Sequence, residues 1–134
     1  MPSSHKVLIA DDDMEDLELI EDAIMRQNQT VELHKFSSGK AVIDYLLNQP
    51  DDQLPCLIML DYNMPELTGL QVLSILKSKD RFNEIPKIIL STSQTALHIH
   101  ESKINGASDY FVKPNNLKEL DSLVLRILEY CRKD

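Results

Sequence analysis

The 134 residues are short of several things, and each shortage narrows what the chain can do. Basic residues are scarce: 14 Lys and Arg stand against 22 Asp and Glu, a net charge of −8. Nucleic-acid binding needs a basic footprint, so no nucleic acid is expected as a direct partner. No apolar run approaches membrane-spanning length and no signal peptide opens the chain. The expectation is therefore a cytoplasmic protein with no membrane partner. Cysteine occurs twice, at Cys56 and Cys131, far apart and without metal-ligand spacing; two reduced thiols are expected. His34, His98 and His100 form no ligand pattern, because residues two apart on a helix do not share a face, and solvated side chains are expected. There is no internal repeat, linker or low-complexity segment. What remains is 43% apolar and 27% charged, the composition of one globular domain with a real core.

The periodicity of that material alternates. "KVLIA" (6–10) is a short apolar run, followed by "MEDLELIEDAIMRQ" with Leu17, Ile20, Ala23 and Ile24 at helical spacing. Asp13 is placed to cap that helix, with acids in its first turn. "VELHKF" (31–36) is strand-like. "SSGKAVIDYLLN" reads as a helix entered near Gly39. "CLIMLD" (56–61) is apolar until its last residue, and "GLQVLSILKSK" (69–79) is helical with Leu70, Leu73 and Leu76 on one side. "KIILS" (87–91) is a fourth run, "ALHIHESKIN" a weaker helix, and "DYFVK" (109–113) a strand cut off by Pro114. "NLKELDSLVLRILEYCRK" closes as an amphipathic helix, with Leu117, Leu120, Val124, Ile127, Leu128 and Cys131 expected inward. The polar stretch "NQPDDQLP" (48–55) is expected to be a surface connection. Strand and helix thus alternate five times. Runs one, three and four are apolar on both faces, as central parallel strands must be, and right-handed crossovers then give an open α/β sheet with helices on both faces.

In such sheets ligands bind beyond the carboxyl ends of the strands. The first strand ends in Asp11 and Asp12, the third in Asp61, the fourth in Ser91 and Thr92, and the fifth in Lys113. With strand order 2-1-3-4-5, strands one and three are neighbours and three carboxylates converge on one crevice. Like charges this close repel, so a divalent cation is the natural partner. Hard oxygen ligands favour Mg²⁺ or Ca²⁺, and a few carboxylates with waters and a phosphate are typical of Mg²⁺.

The stretches "VLIADDD", "IMLDYNMPELTGLQVL", "PKIILSTS" and "GASDYFVKP" resemble the receiver domain of two-component response regulators, in that family's order and over residues 5–132 as a single domain. The resemblance implies a flavodoxin-like, doubly wound (βα)5 fold and a phosphoryl group accepted from a sensor histidine kinase or histidine phosphotransfer protein. It implies that Asp61 is the phosphoacceptor. Asp11, Asp12 and Asp61, with the backbone carbonyl of Asn63, hold Mg²⁺. By the same resemblance Ser91 would bind the phosphoryl group, Lys113 would pair with it, Tyr110 would change rotamer on activation, and Pro114 would follow a cis peptide bond. By position, Asn63 and Ser93 flank the path of a hydrolytic water. The long connections "NQPDDQLP" and "KSKDRFNEIP" resemble those of stand-alone receivers, some paired with phytochrome-type kinases. The chain ends almost at its last helix, so output is expected through protein–protein contact: a relay, or a homodimer through helix 4, strand 5 and helix 5.

Other readings stay open at this point. An aspartyl-nucleophile phosphohydrolase would want an acid two residues after Asp61, where Asn63 stands. A calcium loop over "DDDMEDLELIED" lacks the glycine its turn needs, having Asp16 there. A receiver-like interaction domain that is never phosphorylated is the third. The expected protein is not an enzyme acting on a separate substrate; it catalyses only its own phosphorylation and dephosphorylation.

Overall fold

Five apolar runs become five strands in the structure, a computed structural model that describes residues 5–132: β1 (Lys6–Ala10), β2 (Glu32–Phe36), β3 (Leu57–Leu60), β4 (Lys87–Ser91) and β5 (Asp109–Val112). Between and after them run α1 (Met14–Gln27), α2 (Gly39–Leu47), α3 (Gly69–Lys77), α4 (Ala96–Ile104) and α5 (Leu117–Leu128). The sheet is parallel throughout, in the order β2-β1-β3-β4-β5. This is the expected flavodoxin-like topology, with the switch in strand order between β1 and β3.

Alternation along each strand sorts side chains into two apolar layers. Leu8, Ala10, Ile58, Leu60 and Ile89 face α2 and α3, packing on Val42, Leu46, Val72, Leu73 and Leu76. Val7, Ile9, Leu57, Met59, Ile88 and Leu90 face α1 and α5, packing on Leu17, Ile20, Ile24, Leu120, Leu123, Val124 and Ile127. Central strands are therefore buried on both faces. Two lysines at strand beginnings go down with them. Lys6 donates through Nζ to the carbonyl of Gln53 (2.7 Å), and Lys87 to those of Phe82 (2.6 Å) and Ile85 (2.9 Å).

The helices begin where the sequence supplies caps. Asp13 Oδ1 accepts from the N–H groups of Glu15 (3.0 Å) and Asp16 (3.2 Å), and Ser38, Thr68, Thr95 and Asn116 cap α2 to α5 in the same way. α1 begins at Met14, so most of the would-be calcium loop is helix. α4 differs from the others: of its nine residues only Ser102 is buried, while Leu97 and Ile104 are exposed.

Several expectations are corrected. Leu117 faces solvent and Leu123 takes the inward place, because α5 meets the sheet with the Leu120–Leu123–Ile127 stripe. In α3, Val72 is fully buried while Leu70 is only half-buried. The 48–55 connection is not simply a surface loop, since Leu54 plugs into the core, as Phe82 and Ile85 do from the second connection. Every described peptide bond is trans, including the one before Pro114, which was expected cis; trans is the lower-energy isomer by about 0.5–1 kcal/mol for X–Pro. Cys56 and Cys131 are joined as a disulfide rather than free, since the turn after α5 (Glu129–Arg132) brings Cys131 back to the start of β3 with a Cα–Cα separation of 5.0 Å.

Candidate functional site

The ladder continues past the strand ends and sets the acids in register. The N–H of Asp11 donates to the carbonyl of Phe36 (3.0 Å), that of Asp61 to Ala10 (3.0 Å) and that of Lys113 to Ser91 (2.8 Å). Asp11 and Asp61 therefore stand side by side, each leaving its strand at the carboxyl edge. A carboxylate oxygen from each of Asp11, Asp12 and Asp61 lies within 4.8 Å of the others. Asp11 is buried, Asp61 is half-buried, and Asp12 is exposed at the rim.

Lys113 enters this cluster from β5, on the far side of the sheet. Its Nζ donates to Asp11 Oδ2 (2.7 Å) and to Asp16 Oδ2 (2.7 Å), and lies 3.6 Å from Asp61 Oδ2. Asp16 was read only as a first-turn acid of α1; the structure makes it a ligand of the lysine. Three carboxylates thus share one ammonium. Burial, and next the charge of Asp11, push the Asp61 carboxyl up to about 6, with Lys113 pulling the other way. The Lys113 ammonium loses by burial but is held well above the usual lysine range by Asp11, Asp16 and Asp61.

The donor set fits a divalent cation. It is all hard oxygen, it is within bridging distance, and it is negative beyond what one lysine can neutralise. Asn63 sits exposed in the loop that follows Asp61. Two features shape that loop. Glu66 takes a left-handed conformation (φ 68°). Gly69, at the start of α3, presses on the loop so closely that a Cβ there would meet the carbonyl oxygen of Asp61 at 2.4 Å.

The remaining expected residues form a second group beside the acids. β3 pairs with β4 so that Leu60 lies opposite Ile89, which leaves Ser91 one residue beyond the level of Asp61. The Ser91 hydroxyl is fully buried and accepts from the N–H of Ser93 (3.2 Å). The Tyr110 hydroxyl donates to the carbonyl of Ser93 (2.9 Å), with its ring buried. Ser93 is thus tied to both. Its own hydroxyl is hydrogen-bonded with His98 Nδ1 (2.6 Å), and the His98 ring stacks on Tyr62 with centroids 4.2 Å apart and planes within 15°. His98 is therefore a packed, hydrogen-bonded residue and not a solvated one. Burial, aided by the nearby Glu101, raises the Tyr62 phenol above its ordinary value. His34 pairs with Glu32 (2.6 Å) away from this site; His100 is exposed.

This arrangement has counterparts. The sequence profile of the response regulator receiver domain matches residues 7–125. Two-component response regulator ORR5 of Oryza sativa is 32% identical over 122 residues, 91% of this chain and 87% of that protein. A probable methanogenesis regulatory protein, FilR2, of Methanothrix harundinacea is 31% identical over 126 residues, 92% of this chain and 81% of that one. Among solved structures, the phosphorylated cyanobacterial phytochrome response regulator RcpA superposes with a TM-score of 0.87 at 28% identity, covering 98% of this chain and 96% of its own. The Mn²⁺-bound form of response regulator Rcp1 gives 0.81 at 28% identity, covering 92% and 91%.

Proposed function

The chain belongs to the response regulator receiver family, and from that premise we propose that Asp61 takes a phosphoryl group from a histidine kinase or a histidine phosphotransfer protein. The observation that carries the proposal is the convergence of Asp11, Asp12 and Asp61 within 4.8 Å, with Lys113 against them. An Asp61 carboxylate oxygen attacks the phosphorus of the donor phosphohistidine; the P–N bond breaks, and the imidazole leaves and recovers its neutral form. The product is an acyl phosphate on Asp61. A carboxyl lying at about 6 is mostly ionised, and so nucleophilic, at neutral pH. Transfer of this kind is positioning plus charge neutralisation.

Asp11, Asp12 and Asp61, with the Asn63 carbonyl, would hold Mg²⁺, which when bound neutralises charge on the transferring oxygens. Lys113 supplies the other positive charge. Its bond to Asp16 is the one it can release, since Asp16 is not among the proposed cation ligands. The Ser91 hydroxyl accepts from the Ser93 N–H and keeps its own proton to donate, so it would turn toward the phosphoryl group. Any such movement pulls on Ser93, and through it on Tyr110 and His98.

We further propose a single receiver domain over residues 5–132, acting in the cytoplasm. Its output would pass through the α4–β5–α5 surface, where Leu97, Ile104 and Val112 are exposed. A second copy meeting that surface symmetrically is the simplest partner. The likeness to RcpA, a phytochrome response regulator, supports a kinase of the phytochrome type. The test is direct. Incubation with Mg²⁺ and acetyl phosphate should label wild type with an acid-stable, base-labile phosphate that maps to Asp61. A label persisting in Asp61→Asn refutes the acceptor assignment. Turnover of a free phosphomonoester by wild type would favour a hydrolase instead.

A further inference from the structure

The Cys56–Cys131 pair lies outside the phosphoryl site and is unexplained by it. Cys56 immediately precedes β3, at the end of the sheet opposite the acids, and Cys131 lies in the turn after α5. The sequence separation is 75 residues. Disulfides are obligatory in small domains that cannot build a sufficient core. This chain has two apolar layers, and α5 is anchored in one of them by Leu120, Leu123, Val124, Ile127 and Leu128. The bond is therefore not what holds α5 on the sheet. What it holds is the turn beyond it. There the other polar tether is the Tyr130 hydroxyl, which donates to Asp109 Oδ2 (2.9 Å) at the start of β5.

Both cysteines are half-buried, within reach of a small thiol. The reduced state is provided for as well. The Lys6 carbonyl oxygen lies 3.2 Å from Cys56 Sγ, so a thiol formed there finds an acceptor and leaves β1 undisturbed. The turn also walls a cleft of about 290 Å³ lined by Asp109, Phe111, Arg126, Glu129 and Tyr130, so releasing it reshapes the edge between β5 and α5.

We propose that Cys56 and Cys131 are a reversible redox site, exchanging with low-molecular-weight thiols and disulfides, whose disulfide docks the C-terminal turn and whose dithiol frees it. In the oxidising direction, one cysteine thiolate attacks a sulfur of the small disulfide and expels one thiolate. The second cysteine thiolate then attacks the mixed disulfide and expels the other. Two protein thiols are oxidised, one small disulfide is reduced to two thiols, and the two protons lost by the cysteines are taken up by the expelled thiolates. The proposal does not depend on Asp61 chemistry.

The experiment equilibrates the unphosphorylated full chain with reduced and oxidised glutathione at graded ratios. Thiols are counted by maleimide mass-tagging after denaturation, and amide hydrogen exchange is followed by mass spectrometry. The expected result is a two-thiol and a zero-thiol species that interconvert in both directions. Exchange at residues 129–132 should be at least tenfold faster in the dithiol form, with β1, β3 and β4 unchanged. Cys131→Ala should exchange like the dithiol form at every ratio, and Cys56→Ser should do the same. Thiols that stay free at every ratio, a disulfide that reduced glutathione never opens, stable single glutathionylation, or equal exchange in the two forms would each overturn the proposal.

Discussion

Replacing Asp61 by Asn should make the metal-free protein more stable, and the size and pH dependence of the gain follow from the crevice. In the folded chain the Asp61 carboxyl is raised from 3.8 to about 6, by burial first and by Asp11 next. A raised carboxyl binds its proton more tightly when folded than when unfolded. The stability it contributes is therefore fully present at low pH and is lost as pH rises from about 4 to about 6. A shift of roughly two units corresponds to about 3 kcal/mol. Asparagine has nearly the same shape and never ionises, so it escapes that loss, while giving up some attraction to Lys113 at 3.6 Å. The net gain expected in EDTA at pH 7.5 is about 1–3 kcal/mol, or a rise of about 4–10 °C in Tm for a chain of this size. Urea melts from pH 3.5 to 8 would show two curves that coincide near pH 4 and separate by pH 7. Saturating Mg²⁺ should then narrow the gap, because it binds and stabilises the wild-type site preferentially. Parallel curves across the whole range, or an Asn variant that is less stable at pH 7.5, would refute the claim that unrelieved charge repulsion is stored at Asp61.

Three further outcomes are expected. Lys113→Met removes the ammonium shared by Asp11, Asp16 and Asp61, leaving carboxylates unpaired; a loss of about 2–4 kcal/mol at pH 7, shrinking as pH falls, should appear in denaturant melts. Gly69→Ala would put a Cβ at 2.4 Å from the Asp61 carbonyl, so despite better helix propensity it should cost about 1–3 kcal/mol, and its acetyl-phosphate labelling rate should fall with it. Asp12→Ala should weaken Mg²⁺ binding in a calorimetric titration at least tenfold while leaving the metal-free melt equal to or above wild type, since it removes one of the three clustered carboxylates.

The sheet and the three-acid crevice were legible because both follow from local pattern. An apolar run that stops at an acid announces a buried strand and its wet end together, and the alternation of such runs with helical spacing dictates a parallel sheet. What escaped needed contacts between distant elements. Asp16 and Lys113 are 97 residues apart, and nothing in a first-turn acid says that β5 will deliver an ammonium to it. His98 was read on its own helix, where its neighbours are two and four residues away; its real partners, Tyr62 and Ser93, come from other loops. The helical stripe of α5 was read in the right phase, with Leu120, Val124, Ile127 and Leu128 inward, but Leu117 in its exposed first turn was placed inward and Leu123 overlooked. The cysteines were judged by spacing and presumed compartment, neither of which reveals that a short turn after α5 folds back to the start of β3. Phe82, fully buried in a charged connection, shows the same limit: one aromatic residue among polar neighbours has no period to read.

The sparse anchoring of α4 has a consequence for how the molecule breathes. A helix whose only buried residue is Ser102 adds little to the apolar area removed from water, so detaching it costs far less than global unfolding. Its attachment is largely directional: the Tyr62 stack, the bond to Ser93, and the Lys77 ammonium donating to the Ile104 carbonyl (2.8 Å). Directional contacts are lost together when their geometry is spoiled by a fraction of an ångström, whereas greasy ones slide and re-form. α4 is thus built to come loose as a unit, a local opening set apart from the two packed layers beneath it.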